Sequence, residues 1–154
     1  MSRNINLPVL LIVTVIDYIW LKSSYGKVMG GKFVSSMEGV LKKFASENPY
    51  PFVKSFLETM AIPNAPLFGF LTMWGEVLVA LSLLVSLVIL YLGNGKRLLW
   101  MLLSLGLFGG AFLNAIFYLS AGWTSPSSES LNLLMFAIEV IVAVYVLRVF
   151  LQKT

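Results

Sequence analysis

The 154-residue chain contains no cysteine and no histidine, and charged side chains make up only 12% of it. A soluble domain carries roughly 25% charged residues, so about half of the usual charge is missing. Without thiol or imidazole groups there can be no disulfide, thiolate nucleophile, iron–sulfur ligand or conventional haem ligation. The Ser-His-Asp and Cys-His devices are excluded as well. A zinc site built from carboxylates alone would be unusual, so no metal site is expected. Eleven Lys and Arg against seven Asp and Glu leave a net charge of +4. The basic residues flank apolar runs instead of forming one dense patch, which argues against nucleic acid as a partner. Any chemistry must use carboxylates, Lys or Arg, aromatic rings, backbone groups or a partner's cofactor.

What the sequence has in quantity is apolar residues, 58% of the total, arranged in blocks. A bilayer core about 30 Å thick takes about 20 helical residues to cross. Four runs qualify as spans, at about 7–21, 66–92, 98–121 and 130–151. No strand-like alternation supports a barrel. The first run follows Arg3 without a small-residue cleavage site, so it reads as a retained helix rather than a signal peptide. Between the first two spans, about 32–61, Phe33, Met37, Val40, Leu41 and Phe44 recur at helical spacing, as do Phe52, Val53, Phe56, Leu57 and Met60. Both runs are too short and too charged to cross. They predict amphipathic helices on the membrane surface or capping the bundle. The expected fold is a single all-α membrane domain over 1–154: a four-helix bundle with two amphipathic helices in its first extracytoplasmic loop. Lys96 and Arg97 between the second and third spans, with Arg3, Arg148 and Lys153 at the ends, predict a multi-pass protein of the plasma membrane with both termini cytoplasmic. The six lysines of the long first loop oppose that orientation, but long segments are weaker topology signals.

An ionisable residue at the centre of a span costs about 2.5 to 3.5 kcal/mol on insertion scales. This chain has three, Asp17, Glu76 and Glu139, together with Asn114 and Asn132. Each sits among small or polar neighbours on its helix face: Gly69, Thr72, Glu76 and Ala80; Gly106, Gly110, Asn114 and Tyr118; Asn132, Phe136, Glu139 and Ala143. Such faces meet inside a bundle. At 1.5 Å per residue, Glu76 and Glu139 both lie about 15 Å in from the outer helix ends. The five residues predict a polar shaft that opens outward and ends at two carboxylates, with no Lys or Arg at that depth. A carboxylic acid there could hydrogen-bond a quinone oxygen or relay a proton. Structural readings stand beside these: Asp17 as a wet interfacial residue, Asn114 beside Gly106-xxx-Gly110 as packing glue, Asn132 as a helix starter. Trp20, Trp100 and Trp123 read as interface-belt residues, and Trp74, close to Glu76, as a residue that could line a ring-binding pocket.

The stretch FASENPYPFVKSFLETMAIPNAPLFGFLTMWGE, residues 44–76, resembles the DoxX/DoxD group of small four-helix membrane proteins. The likeness lies in the Asn-Pro-x-Pro loop, the Pro-Asn-Ala-Pro start of the second span and the Gly-Glu pair within it. GWTSPSSESLNLLMFAIE, residues 122–139, is similar to the start of that family's last helix. Family members often carry an Arg in the first helix, where this chain's first span has Asp17 and no base. The resemblance implies a subunit of a thiosulfate:quinone oxidoreductase, in which thiosulfate is coupled to tetrathionate and a membrane quinone takes the electrons. A non-catalytic accessory subunit of a quinol oxidase or respiratory supercomplex is the alternative. It implies membrane lipid and a second membrane subunit as partners, and quinone as electron acceptor. Carried over by motif, it points to Glu76 first, with Trp74, Glu139 and Asn132 after it. Taken with the polar shaft, the candidates are Glu76 and Glu139 for catalysis and Trp74, Asn114, Asn132 and Asp17 for substrate or quinone contacts.

Overall fold

The computed structural model describes residues 6–92 and 97–151. Lys96, Arg3 and Lys153, used above to orient the chain, lie outside the described residues. Helix α1 (Leu7–Met29) opens with a proline in its first turn, where a missing N–H costs nothing. It does not stop at the first lysine. It runs on to Gly30, whose N–H reaches Gly26 O at 3.1 Å, and the chain then turns at Gly31, with φ of 65° in the left-handed region that favours glycine. Lys22 and Lys27 therefore belong to the helix. Next come α2 (Phe33–Ser46), α3 (Pro51–Phe56) and a wide π-type turn, Leu57–Ala61. Then follow α4 (Ala65–Tyr91), α5 (Arg97–Ala121), a single tight turn at Gly122–Thr124, and α6 (Pro126–Leu151).

Four helical segments are long and apolar enough to cross a membrane: Leu7–Met29, Ala65–Tyr91, Leu98–Thr124 and Pro126–Leu151. Only 28–39% of their most apolar stretches is buried inside the protein. The rest presents side chains such as Val15, Leu98 and Ile141 outward, each at least 60% exposed. A surface of that size is unstable against water and is the natural contact for lipid tails.

The expectation of a four-helix bundle is corrected by the structure: the described residues form six α-helices around two cores. The inner core joins α1, α4, α5 and α6 through Ile16, Trp20, Leu83, Leu103, Leu107 and Val146. The second is built from Met37, Leu41, Ala45, Val53, Leu57, Ala61 and Ala65, from α2 to the start of α4. Met37 and Leu41 of the α2 stripe, with Val53 and Leu57 of the second stripe, are taken up by this core, which makes the segment part of the fold, while Phe52, Phe56 and Met60 stay exposed. Gly69 permits the approach, since a Cβ there would lie 3.1 Å from the Val34 Cα. Asn48 locks the loop between α2 and α3 to the end of α5: its Nδ2 donates to the carbonyls of Phe44, Leu119 and Ser120 at 3.1–3.2 Å, and its Oδ1 accepts from the Tyr50 N–H at 3.0 Å. Trp123 Nε1 also donates to Phe44 O, at 3.2 Å.

Candidate functional site

Glu76 and Glu139 are both buried, at 1% and 0% exposure, but they belong to different polar nodes. Glu139, on α6, accepts a hydrogen bond from Trp20 Nε1 of α1 at 2.7 Å on Oε1, and one from Asn114 Nδ2 of α5 at 2.8 Å on Oε2. Gly110 makes the space: a Cβ there would stand 2.5 Å from Glu139 Oε1 and 3.0 Å from Trp20 Nε1. The small-residue face of α5 therefore divides its work, with Gly106 against Ser82 and Leu83 of α4 and Gly110 against α6.

Glu76 lies among residues of α1 that a first span ending at Leu21 leaves out. Its Oε2 accepts from Lys27 Nζ at 2.7 Å and from Ser23 Oγ at 2.9 Å, and Lys27 also donates to Ser23 Oγ at 2.7 Å. The Lys27 ammonium lies 5.3 Å from the centre of the Phe33 ring at the start of α2. The expectation of no base at this depth is thus overturned, for a physical reason: α1 continues about two turns past Lys22, until Gly30 and Gly31 end it. That glycine pair, a helix stop, is the signal that could have brought Ser23 and Lys27 into the site.

Beside this triad runs a cleft of about 1130 Å³ along α4 and α5, roofed by α2, α3 and the wide turn. On α5 its wall extends from Leu102 to Ala121, about 28 Å of helix. The wall is mostly aliphatic and phenyl, interrupted by Ser23, Lys27, Thr72 and Glu76 and, among others, Ser120, Ser128 and Asn132. Ligand pockets have this composition, a largely apolar lining with a few convergent polar groups, and span roughly 300–1,000 Å³.

The remaining sequence candidates fall in different places. Asn114 holds Glu139 and is not part of the cleft wall, whereas Asn132 is, with its Nδ2 donating to Ser128 O at 2.8 Å. Trp74 faces outward, 52% exposed, and does not line the cleft. Asp17 is 3% exposed, on the same face of α1 as Trp20, and its Oδ1 has no hydrogen-bond partner among the described residues. The described residues contain no group of three His, Cys, Asp or Glu able to hold a metal ion.

Apolar spanning helices with outward-facing aliphatic surface define a multi-pass α-helical membrane protein. Compared with family models, curated proteins and solved structures, the chain matches none. The likeness to the DoxX/DoxD group therefore rests on its motifs alone.

Proposed function

We propose that the protein is a quinone-handling membrane subunit of a redox assembly, the role implied by the DoxX/DoxD-like motifs. One observation carries the reading: a long apolar cleft in the membrane region has a buried ion pair, Lys27–Glu76, in its wall. An isoprenoid tail suits the aliphatic and phenyl lining, and a ring bearing two oxygens suits the polar triad. Glu76 is the residue at the head of the site. Glu139, separated from the cleft, holds α1, α5 and α6 in register. The thiosulfate half of the reaction falls in this reading to a partner subunit, because the cleft is apolar and its lysine is already engaged by Glu76.

The test is extraction of the purified protein. Isolated from its native membrane in mild detergent, it should retain a near-stoichiometric, solvent-extractable quinone. Ile116 lines the cleft and is 42% exposed, so Ile116→Trp should fill the tail channel and abolish retention without unfolding the protein. Absence of quinone from the wild type would remove this reading and leave the accessory-subunit alternative.

A further inference from the structure

The polar triad beside the cleft has a definite hydrogen-bond polarity. Lys27 Nζ donates to Glu76 Oε2 and Ser23 Oγ and lies 5.3 Å from the centre of the Phe33 ring, and the single O–H of Ser23 is given to Glu76 Oε2. The Ser23 donor and two of the three Lys27 donors are thus turned inward on the triad. Oε2 of Glu76 takes two of these bonds, while Oε1 takes none from any described residue. Glu76 lines the cleft, so Oε1 is the atom left for an occupant. A carbonyl oxygen placed there would meet an acceptor, whereas a hydroxyl would meet a charged acceptor already held in position.

From this we infer that the cleft is selective for the reduced, hydroxyl-bearing quinol over the oxidised quinone, with Glu76 Oε1 accepting the quinol O–H. The inference rests on the quinone-handling reading and adds the redox state of the ligand to it. Thr72, one turn from Glu76 on the same face and also in the cleft wall, carries a hydroxyl that can donate or accept. It adds affinity for either form without choosing between them. A hydrogen bond to a charged group is worth enough for at least about a tenfold preference. For a two-electron couple, each tenfold preference for the reduced form raises the midpoint potential of the bound pair by about 30 mV.

The experiment is an anaerobic calorimetric titration of the purified full chain with a decyl-tailed benzoquinone and, separately, with its quinol. The wild type should bind the quinol at least tenfold more tightly. In Glu76→Gln the amide oxygen stays with Lys27 and Ser23, which turns the amide N–H₂ toward the cleft. The site then offers a donor in place of an acceptor, and the preference should invert in favour of the quinone. Thr72→Val, which does not touch the triad, should weaken both forms and leave their ratio unchanged. It keeps the test intact should the Gln variant fail to fold. Equal affinities in the wild type, with binding of both abolished by Ile116→Trp, would overturn the redox selectivity and leave the quinone-handling reading standing. Failure of both forms to bind the wild type would overturn the two together.

Discussion

At the scale of single residues, the two buried carboxylates make opposite predictions about their neighbours. Glu76 depends on a charge. Removing one member of a buried ion pair typically costs about 3–5 kcal/mol, whereas replacing both is often neutral. Lys27 is 22% exposed, so Lys27→Met should cost toward the low end, about 3 kcal/mol. The double variant Lys27→Met/Glu76→Gln should recover most of the loss. Thermal unfolding in detergent reads both, and a double variant no better than the single would show that the pair does not matter to stability. Glu139 depends on space. Gly110→Ala puts a methyl group against Glu139 Oε1 and Trp20 Nε1, and overpacking of this kind costs about 1–3 kcal/mol. The accompanying loss of the indole hydrogen bond should show up as a shifted Trp20 N–H resonance or Raman band. Neither dependence is readable from position along the helix alone. A mid-span acid is plain in the sequence, but its partners come from helices 25 to 119 residues away, and only the packing of those helices pairs Asn114 and Trp20 with Glu139.

At the scale of elements, the segment between α1 and α4 is packed into the fold by one buried face, Met37, Leu41, Ala45, Val53, Leu57 and Ala61. Asn48 holds it to the end of α5, and Asn48→Ala leaves buried carbonyls without their donor at a cost of about 1–3 kcal/mol. Hydrogen exchange should then quicken selectively in residues 33–61, and an unchanged exchange pattern would contradict the anchoring role. A methyl group added at Gly39, in α2, would meet only open space, so Gly39→Ala should stabilise α2 by roughly 0.5–1 kcal/mol. On the exposed side of α2 the Lys42 ammonium, 2.6 Å from Glu38, holds the Glu38 carboxyl below its ordinary value through a hydrogen bond and charge attraction. A depressed carboxylate stabilises above its unfolded pKa and loses that contribution as pH falls through the folded one. Acidification below the usual carboxylate range, or high salt, should therefore loosen α2 slightly, as a local rise in amide exchange. The apolar periodicity of both short helices is legible in the sequence. Their burial is not, because an amphipathic stripe has the same spacing whether it meets lipid headgroups or protein. The full length of α1 is hidden for a similar reason: lysine ends the apolar run, but the backbone stops only where glycine permits the turn.

At the scale of the whole molecule, the membrane-spanning character is carried by composition and is the most legible property of the chain. The division of its polar residues into a triad beside the cleft and a sealed node behind it is the least legible. Asn48 bonds to the carbonyls of Leu119 and Ser120, which sets the end of α2 and the start of α6 on one face of the membrane. Single cysteines at Ser46 and Ser127, both exposed, should therefore be labelled from the same side. With cytoplasmic termini that side is external, and a cysteine at Asn94 should be protected in intact cells. Labelling of Ser46 and Ser127 from opposite sides would contradict the fold. The order of polar partners along the chain has a consequence for biosynthesis. Synthesis proceeds from the N-terminus, and an unpartnered acid resists insertion by a few kcal/mol. Ser23 and Lys27 leave the ribosome before Glu76, and Trp20 and Asn114 before Glu139. Each of these two acids thus enters the bilayer when the groups that neutralise or solvate it have already been made, so the translocon never has to hold either one waiting for a helix still to come.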